Sequence, residues 1–131
     1  MSKIIHLSYI STGHFITDNT LQDIENTSSA FNSKVGVTGF LLFNGANFLQ
    51  TLQGSEKTLT DLLARIKKDP RHYGVVVVQD HPIEAMTFPN WGMRVKRIAR
   101  GGVGDATFAE LRSMADPELK TMMDNFMAIG G

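Results

Sequence analysis

The stretch VTGFLLFNGANFLQTLQG, residues 37–54, reads as two β-strands joined at Asn44-Gly45. Asn-Gly is a strong hairpin signal, because both turn positions then tolerate φ > 0. The second strand starts at Asn47. Side chains alternate along a strand, so Phe48, Gln50 and Leu52 share one face. If that face is the core, Gln50 is a carboxamide inside an apolar stripe. A buried amide without partners costs about 1–3 kcal/mol. What Gln50 bonds to is the question the rest of the chain has to answer.

On the N-terminal side, residues 3–11 predict a strand with Ile5, Leu7 and Tyr9 on the core face and Ile4, His6 and Ser8 on the other. Thr17 or Asp18 can cap a helix whose buried face is Leu21, Ile24, Ser28 and Phe31, with Asn32 in its last turn and Gly36 at its stop. On the C-terminal side, Ser55 caps a second helix with Leu59, Leu62, Leu63 and Ile66 inward. The four valines 75–78 fit a strand covered on both faces, or nearly so. Residues 91–98 form a last strand with Trp91, Met93 and Val95 on one face, opposite Arg94 and Lys96. The order βαββαββ predicts an α+β, ferredoxin-like sandwich: a mixed five-stranded sheet with two helices on one face, flanking a groove over its centre.

Residues 100–104 are a glycine-rich break, the one convincing internal boundary. They divide a domain over residues 1–98 from a linker and two short helices over residues 99–131. Thr107 and Glu110 fit a capping box, and Asp116-Pro117 an N-cap followed by proline at the first helical position. Leu119, Met122, Met123, Phe126 and Met127 form an apolar stripe that packs on the sheet's free face or on a partner.

The chain has 131 residues, a formal net charge of zero and no cysteine. Disulfides and thiolate metal sites are excluded, and no net charge favours nucleic acid or membrane. The N-terminal apolar run is too short and too polar for a signal peptide or a span, so a cytoplasmic protein is the expectation. The four histidines show no metal-ligand spacing, and no metal is expected. Arg94, Lys96, Arg97 and Arg100 read as a solvated strand face and loop, since no aromatic platform for nucleic acid accompanies them.

Tyr9, Asn32 and Gln50 remain: three polar side chains at or beside core-facing positions on three elements that border the groove. Such a set can read the polar edge of a flat heterocycle, or its members can satisfy one another and the backbone. The residue pattern leaves both open.

The segments LSYIS around Tyr9, FNSKVGVTGFLLFNGANFLQTLQG, ARIKKDPRH (residues 64–72) and FPNWGM (residues 88–93) together resemble the BLUF family, blue-light sensors that use FAD. The resemblance runs over residues 4–98. It implies a flavin ring between the two helices, Asn32 on the ring's pyrimidine edge, and Gln50 between Tyr9 and the N5/O4 edge. Arg65, Asp69, Arg71 and His72 fall in the matching segment and are implied cofactor contacts, toward the ribityl chain or phosphates. Trp91 and Met93 fall on the family's variable, signal-transmitting strand, and which of them lies against Gln50 stays open. The implied photocycle moves an electron from Tyr9 and its proton through Gln50, and leaves the Gln50 amide rotated or tautomerised. No substrate is turned over, so no enzyme is expected.

Three positions depart from the family's commonest pattern. Gly92 stands where W-S-M is usual and is expected to loosen the strand. Gln53 replaces a glutamate, and Phe31 replaces a polar residue before Asn32. The short C-terminal segment predicts a stand-alone sensor that acts through an unidentified downstream protein or as a homo-oligomer, without nucleic acid or membrane. Two other classes compete. An acylphosphatase-type enzyme shares the plan, but Ser11-Thr12-Gly13-His14 lacks the arginine of its phosphate loop. The other is a small ligand-binding regulatory module without photochemistry.

Overall fold

The computed structural model describes residues 3–88, 91–98 and 105–129. Among them the elements run β1 (Ile4–Gly13), α1 (Asp18–Lys34), β2 (Thr38–Phe43), β3 (Asn47–Ser55), α2 (Glu56–Lys67), β4 (His72–Ile83), β5 (Arg94–Arg97), α3 (Ala106–Ser113) and α4 (Pro117–Ala128). The strands form one mixed sheet in the order β4-β1-β3-β2-β5. β1 is antiparallel to both β3 and β4, β2 is antiparallel to β3, and β5 is parallel to β2. This is the α+β plan the element order predicts. The glycine-rich break at residues 100–104 lies outside the described residues.

Local chemistry accounts for most boundaries. Thr17 caps α1 through a reciprocal pair with Thr20, and Ser55 caps α2 by accepting from the Thr58 N–H. Asp116 caps α4 ahead of Pro117. For α3 the expected Thr107 box gives way to Asp105, whose carboxylate accepts from the Phe108 N–H; aspartate is the stronger cap. In the hairpin turn Gly45 takes φ 99°. Asn44 does not need the left-handed region. Its carbonyl oxygen accepts from the N–H groups of Ala46 and Asn47 at 3.1 and 2.7 Å, and its NH2 donates to the Phe126 carbonyl of α4 at 3.1 Å.

Two expectations about burial are corrected. Phe31 is 36% exposed, whereas Asn32 is 2% exposed. At 100° per residue Asn32 falls within about 20° of Leu21 around the helix, and Phe31 about 80° away. The valine run is not covered on both faces: β4 is an edge strand, its register with β1 is broken twice, and Val76 and Val77 are 60% and 38% exposed.

The sheet has a core on each face. On one, Leu7, Leu41, Phe48 and Leu52 meet Leu21, Ile24 and Leu59 of the first two helices. On the other, Phe40, Leu42 and Leu49 meet Leu111, Leu119, Met123, Phe126 and Met127 of α3 and α4. β5 is tied to α3 by Arg94–Glu110 at 2.7 Å and Lys96–Asp105 at 3.7 Å. The basic strand face is therefore paired rather than simply solvated.

Beneath the start of α4 the second face holds a buried polar network. Gln53 donates to His6 Nδ1 at 2.9 Å, so the ring proton sits on Nε2 and is donated to Gln79 Oε1 at 2.8 Å. Ser8 also donates to Gln79 Oε1, at 2.8 Å, and Gln79 Nε2 donates to Glu118 at 2.9 Å and to Asp116 at 3.3 Å. His81 stacks on His6 with centroids 5.0 Å apart. Burial lowers the His6 pKa below its ordinary 6.5, against the opposing pull of the Gln79 hydrogen bond and the Asp116 and Glu118 charges. A histidine whose folded pKa is depressed stabilises the fold fully above its unfolded value. That contribution is lost as pH falls below about 6.5 toward the folded value, at no more than about 1.4 kcal/mol per pH unit for one proton. Urea unfolding at pH 7.5 and 5.5 is expected to show this loss in the native protein and a smaller one in His6→Gln. Equal losses in both would remove His6 as the cause.

Candidate functional site

Between α1 and α2, over the centre of the sheet, lies a cleft of about 510 Å³ including its open mouth. Ile24 and Ser28 of α1 form one wall, Leu62 and Ile66 of α2 the other, with Leu41 and Phe48 on the floor. Tyr9, Asn32 and Gln50 line the same space, and Asp69, Arg71 and His72 stand at its α2 end. The structure thus brings together six of the cofactor-contact residues expected from the sequence.

Strand register makes the central pair. Tyr9 of β1 sits directly opposite Gln50 of β3. The Tyr9 hydroxyl donates to Gln50 Oε1, and Gln50 Nε2 donates to Met93 Sδ at 3.5 Å. Tyr9 is 3% and Gln50 5% exposed. Burial, and then the negative charge of Asp69, pushes the Tyr9 phenol far above its ordinary range. The buried phenol is therefore favoured over the phenolate. Asn32 Nδ2 donates to the Gly92 carbonyl at 2.8 Å. Among the described residues, the second side-chain N–H of Asn32 and its side-chain Oδ1 make no hydrogen bond.

The far end is held by short contacts. Asp69 Oδ1 accepts from the Arg71 backbone N–H and from Arg71 Nε, both at 2.9 Å. The Arg71 hydrogen bonds hold the Asp69 carboxyl below its usual range, so both groups stay charged. His72 Nε2 donates to the Ile66 carbonyl at 2.6 Å and Nδ1 accepts from Ser11 Oγ at 2.7 Å. Both ring nitrogens are thereby engaged, and the ring packs 6.1 Å from that of Tyr9. Arg65 is placed elsewhere: it is exposed on α2, its guanidinium 4.4 Å over the Phe31 ring.

The last strand is shorter than expected and starts at Arg94, so the alternation that put Trp91, Met93 and Val95 on one face fails at Gly92. Met93, 4% exposed, joins the cleft-side core with Val95. Trp91 packs against the opposite core, with the Arg94 guanidinium 5.0 Å from its ring. Met93 is therefore the neighbour of Gln50. Sequence reading missed Glu25, whose carboxylate accepts from the Val95 N–H at 2.9 Å. Glu25 lies seven residues before Asn32, on the same helical face, but a lone acid there looks solvated.

Apolar walls on two sides, a polar edge of phenol and two carboxamides, and an arginine at one end suit a flat heterocycle with a charged tail. An α+β domain with such a cleft between its helices has the form of a small-ligand-binding module. Residues 4–94 match the family model described as "BLUF: Sensors of blue-light using FAD", and the chain belongs to that family. BLUF domains bind FAD, and FAD is the cofactor.

The chain is 35% identical over 89 residues to the blue light- and temperature-regulated antirepressor BluF of Escherichia coli (strain K12), covering 66% of this chain and 22% of that protein. It is 28% identical over 98 residues to photoactivated adenylate cyclase subunit alpha of Euglena gracilis, covering 75% and 10%. It therefore spans a small part of these curated relatives. The dark-state structure of BlrB, a BLUF protein, superposes with a TM-score of 0.75 at 29% identity over 98% of both chains. The BlrP1 BLUF structure gives 0.82 at 27% identity over 100% of this chain and 94% of that one. Among the described residues no helix is long and apolar enough to cross a membrane.

Arg71 borders the cleft and Arg65 does not. A hydrogen bond to a charged group is worth about 1.5–3 kcal/mol, or about tenfold or more in affinity. In a fluorescence titration Arg71→Ala is expected to weaken FAD binding by at least that factor, and Arg65→Ala by no more than about threefold. A larger loss for Arg65→Ala than for Arg71→Ala would contradict this placement.

Proposed function

We propose that Tyr9 and Gln50 are the photoactive pair of this blue-light sensor, and that Asn32, Asp69, Arg71 and His72 hold and orient its FAD. The observation that carries the reading is the hydrogen bond from a deeply buried phenol to an amide that lines the cleft. Bound FAD supplies the absorption of blue light and, in its excited state, an acceptor for one electron. Tyr9 is the donor. Burial opposes a tyrosinate but does not oppose loss of the proton once the ring is oxidised, because Gln50 Oε1 is already in place to accept it. When Tyr9 recovers its electron and proton, the Gln50 amide is left turned or tautomerised, with its donor and acceptor ends exchanged relative to Tyr9 and Met93.

Met93 reads that exchange, since its sulfur accepts weakly from Nε2. From Met93 the chain continues into β5, which is tied to α3 by Arg94–Glu110 and Lys96–Asp105. The output is a shift between two arrangements of β5 and the C-terminal helices, delivered to a downstream protein or to a second copy of the chain. The domain performs no catalysis of its own, acts in the cytoplasm, and binds neither nucleic acid nor membrane.

Purified protein is expected to be yellow and to undergo a reversible red shift of its flavin absorption under blue light. Gln50→Leu should keep the flavin and lose the shift. A variant that retains the full shift would exclude Gln50 as the switch, and a preparation that cannot take up flavin would exclude the photosensory reading altogether.

A further inference from the structure

Gly92 is buried against α1. A Cβ built on it would lie 2.1 Å from the Ser29 carbonyl oxygen, 2.8 Å from that carbonyl carbon and 2.6 Å from Ser33 Oγ. The nearest obstacle is helix backbone, which no rotamer change removes. No residue with a side chain fits here unless the segment moves off the helix. The segment is instead fastened to α1 on either side of Met93: the Gly92 carbonyl accepts from Asn32 Nδ2 at 2.8 Å, and the Val95 N–H donates to Glu25 at 2.9 Å. Between these two ties Met93 is held inward, its sulfur 3.5 Å from Gln50 Nε2. Trp91, one residue before the glycine, is turned to the opposite face of the sheet.

We infer that Gly92 is a positioning residue of the photosensory site. Its missing side chain lets the segment press on α1, so that Asn32 is bonded to the segment that leads into β5 and Met93, rather than Trp91, is set against Gln50. The glycine thus tightens this connection instead of loosening it. Asn32 gives one side-chain N–H to the segment before β5 and keeps its other side-chain N–H and its Oδ1 for the cleft, which makes it a bridge between the two. A Cβ at position 92 breaks that bridge: the segment lifts from α1, Met93 leaves Gln50, and Trp91 loses its seat.

The inference rests on the photosensory reading of the cleft, and the experiment separates the two. Trp91 is the chain's one tryptophan, so its fluorescence reports the segment with no flavin present. In flavin-free protein, Gly92→Ala is expected to raise acrylamide quenching of Trp91 about twofold, as a half-buried ring becomes exposed. Unchanged quenching in a folded variant would overturn the inference, whatever the cleft binds. Should Gly92→Ala fail to fold, Asn32→Ala cuts the same tie without adding a Cβ, and must raise the quenching in its place; unaltered quenching there also overturns it. In FAD-loaded protein the dark recovery after illumination is compared in two backgrounds. Gly92→Ala should change the recovery rate at least about threefold in the native background, and far less when Met93→Ala is already present, because contacting residues couple on this scale. Equal changes in both backgrounds would show that Gly92 does not act through Met93. If the native protein shows no red shift, the photosensory reading fails, and the quenching measurement alone still decides the position of the segment.

Discussion

The hydrogen bond from Tyr9 to Gln50 is the constraint on which the structure turns. Both groups are buried, so neither can fall back on water, and each needs the other. Their meeting depends on the β1–β3 register, since a slip of one residue would send Gln50 to the far face of the sheet. That register is backed by the apolar alternation of Phe48 and Leu52 around Gln50 and by the turn at Asn44 and Gly45. The amide has two unlike ends, and the site gives each a different neighbour: a strong donor in Tyr9 and a weak acceptor in Met93. An asymmetric pair of partners makes one orientation favoured without making the other forbidden, which is what a switch requires.

The sheet is a wall shared by two sites. On the cleft face it carries Tyr9 and Gln50. On the other face the same two strands carry His6, Ser8, Thr51 and Gln53, joined through Gln79 to the start of α4. Buried polar networks of this kind specify one arrangement because each member is costly to leave unpaired. The C-terminal helices are therefore not held by apolar contact alone. They dock over a set of hydrogen bonds that share β1 and β3 with the Tyr9–Gln50 pair, and they also meet β5 through two ion pairs. Both sets of contacts end on the same helical layer.

Much of this was legible in the residues. The element order, the caps at Thr17, Ser55 and Asp116, the α4 stripe and the inward face holding Tyr9 and Gln50 all follow from periodicity and capping chemistry. What stayed hidden depended on tertiary approach. Strand alternation placed Trp91 with Met93, but the sheet hydrogen bonds begin only at Arg94, so the two side chains part at Gly92. A run of four valines looks equally apolar in a central or an edge strand, and nothing in it announces that β4 has one neighbour. His6 and Gln53 alternate with core residues and so look solvent-facing; they are buried because a second layer of helices arrives from far along the chain. Arg65 and Arg71 lie in one segment, and only the path of the chain after α2 puts Arg71 beside the cleft and Arg65 outside it.

The most direct measurement is the light-minus-dark absorption spectrum of FAD-loaded Tyr9→Phe. The substitution keeps the ring and its packing and removes only the hydroxyl that donates to Gln50. The account predicts that flavin binding survives and the reversible red shift is abolished, because the electron donor and the proton it sends to Gln50 are both impaired. A full, reversible red shift in Tyr9→Phe would contradict it.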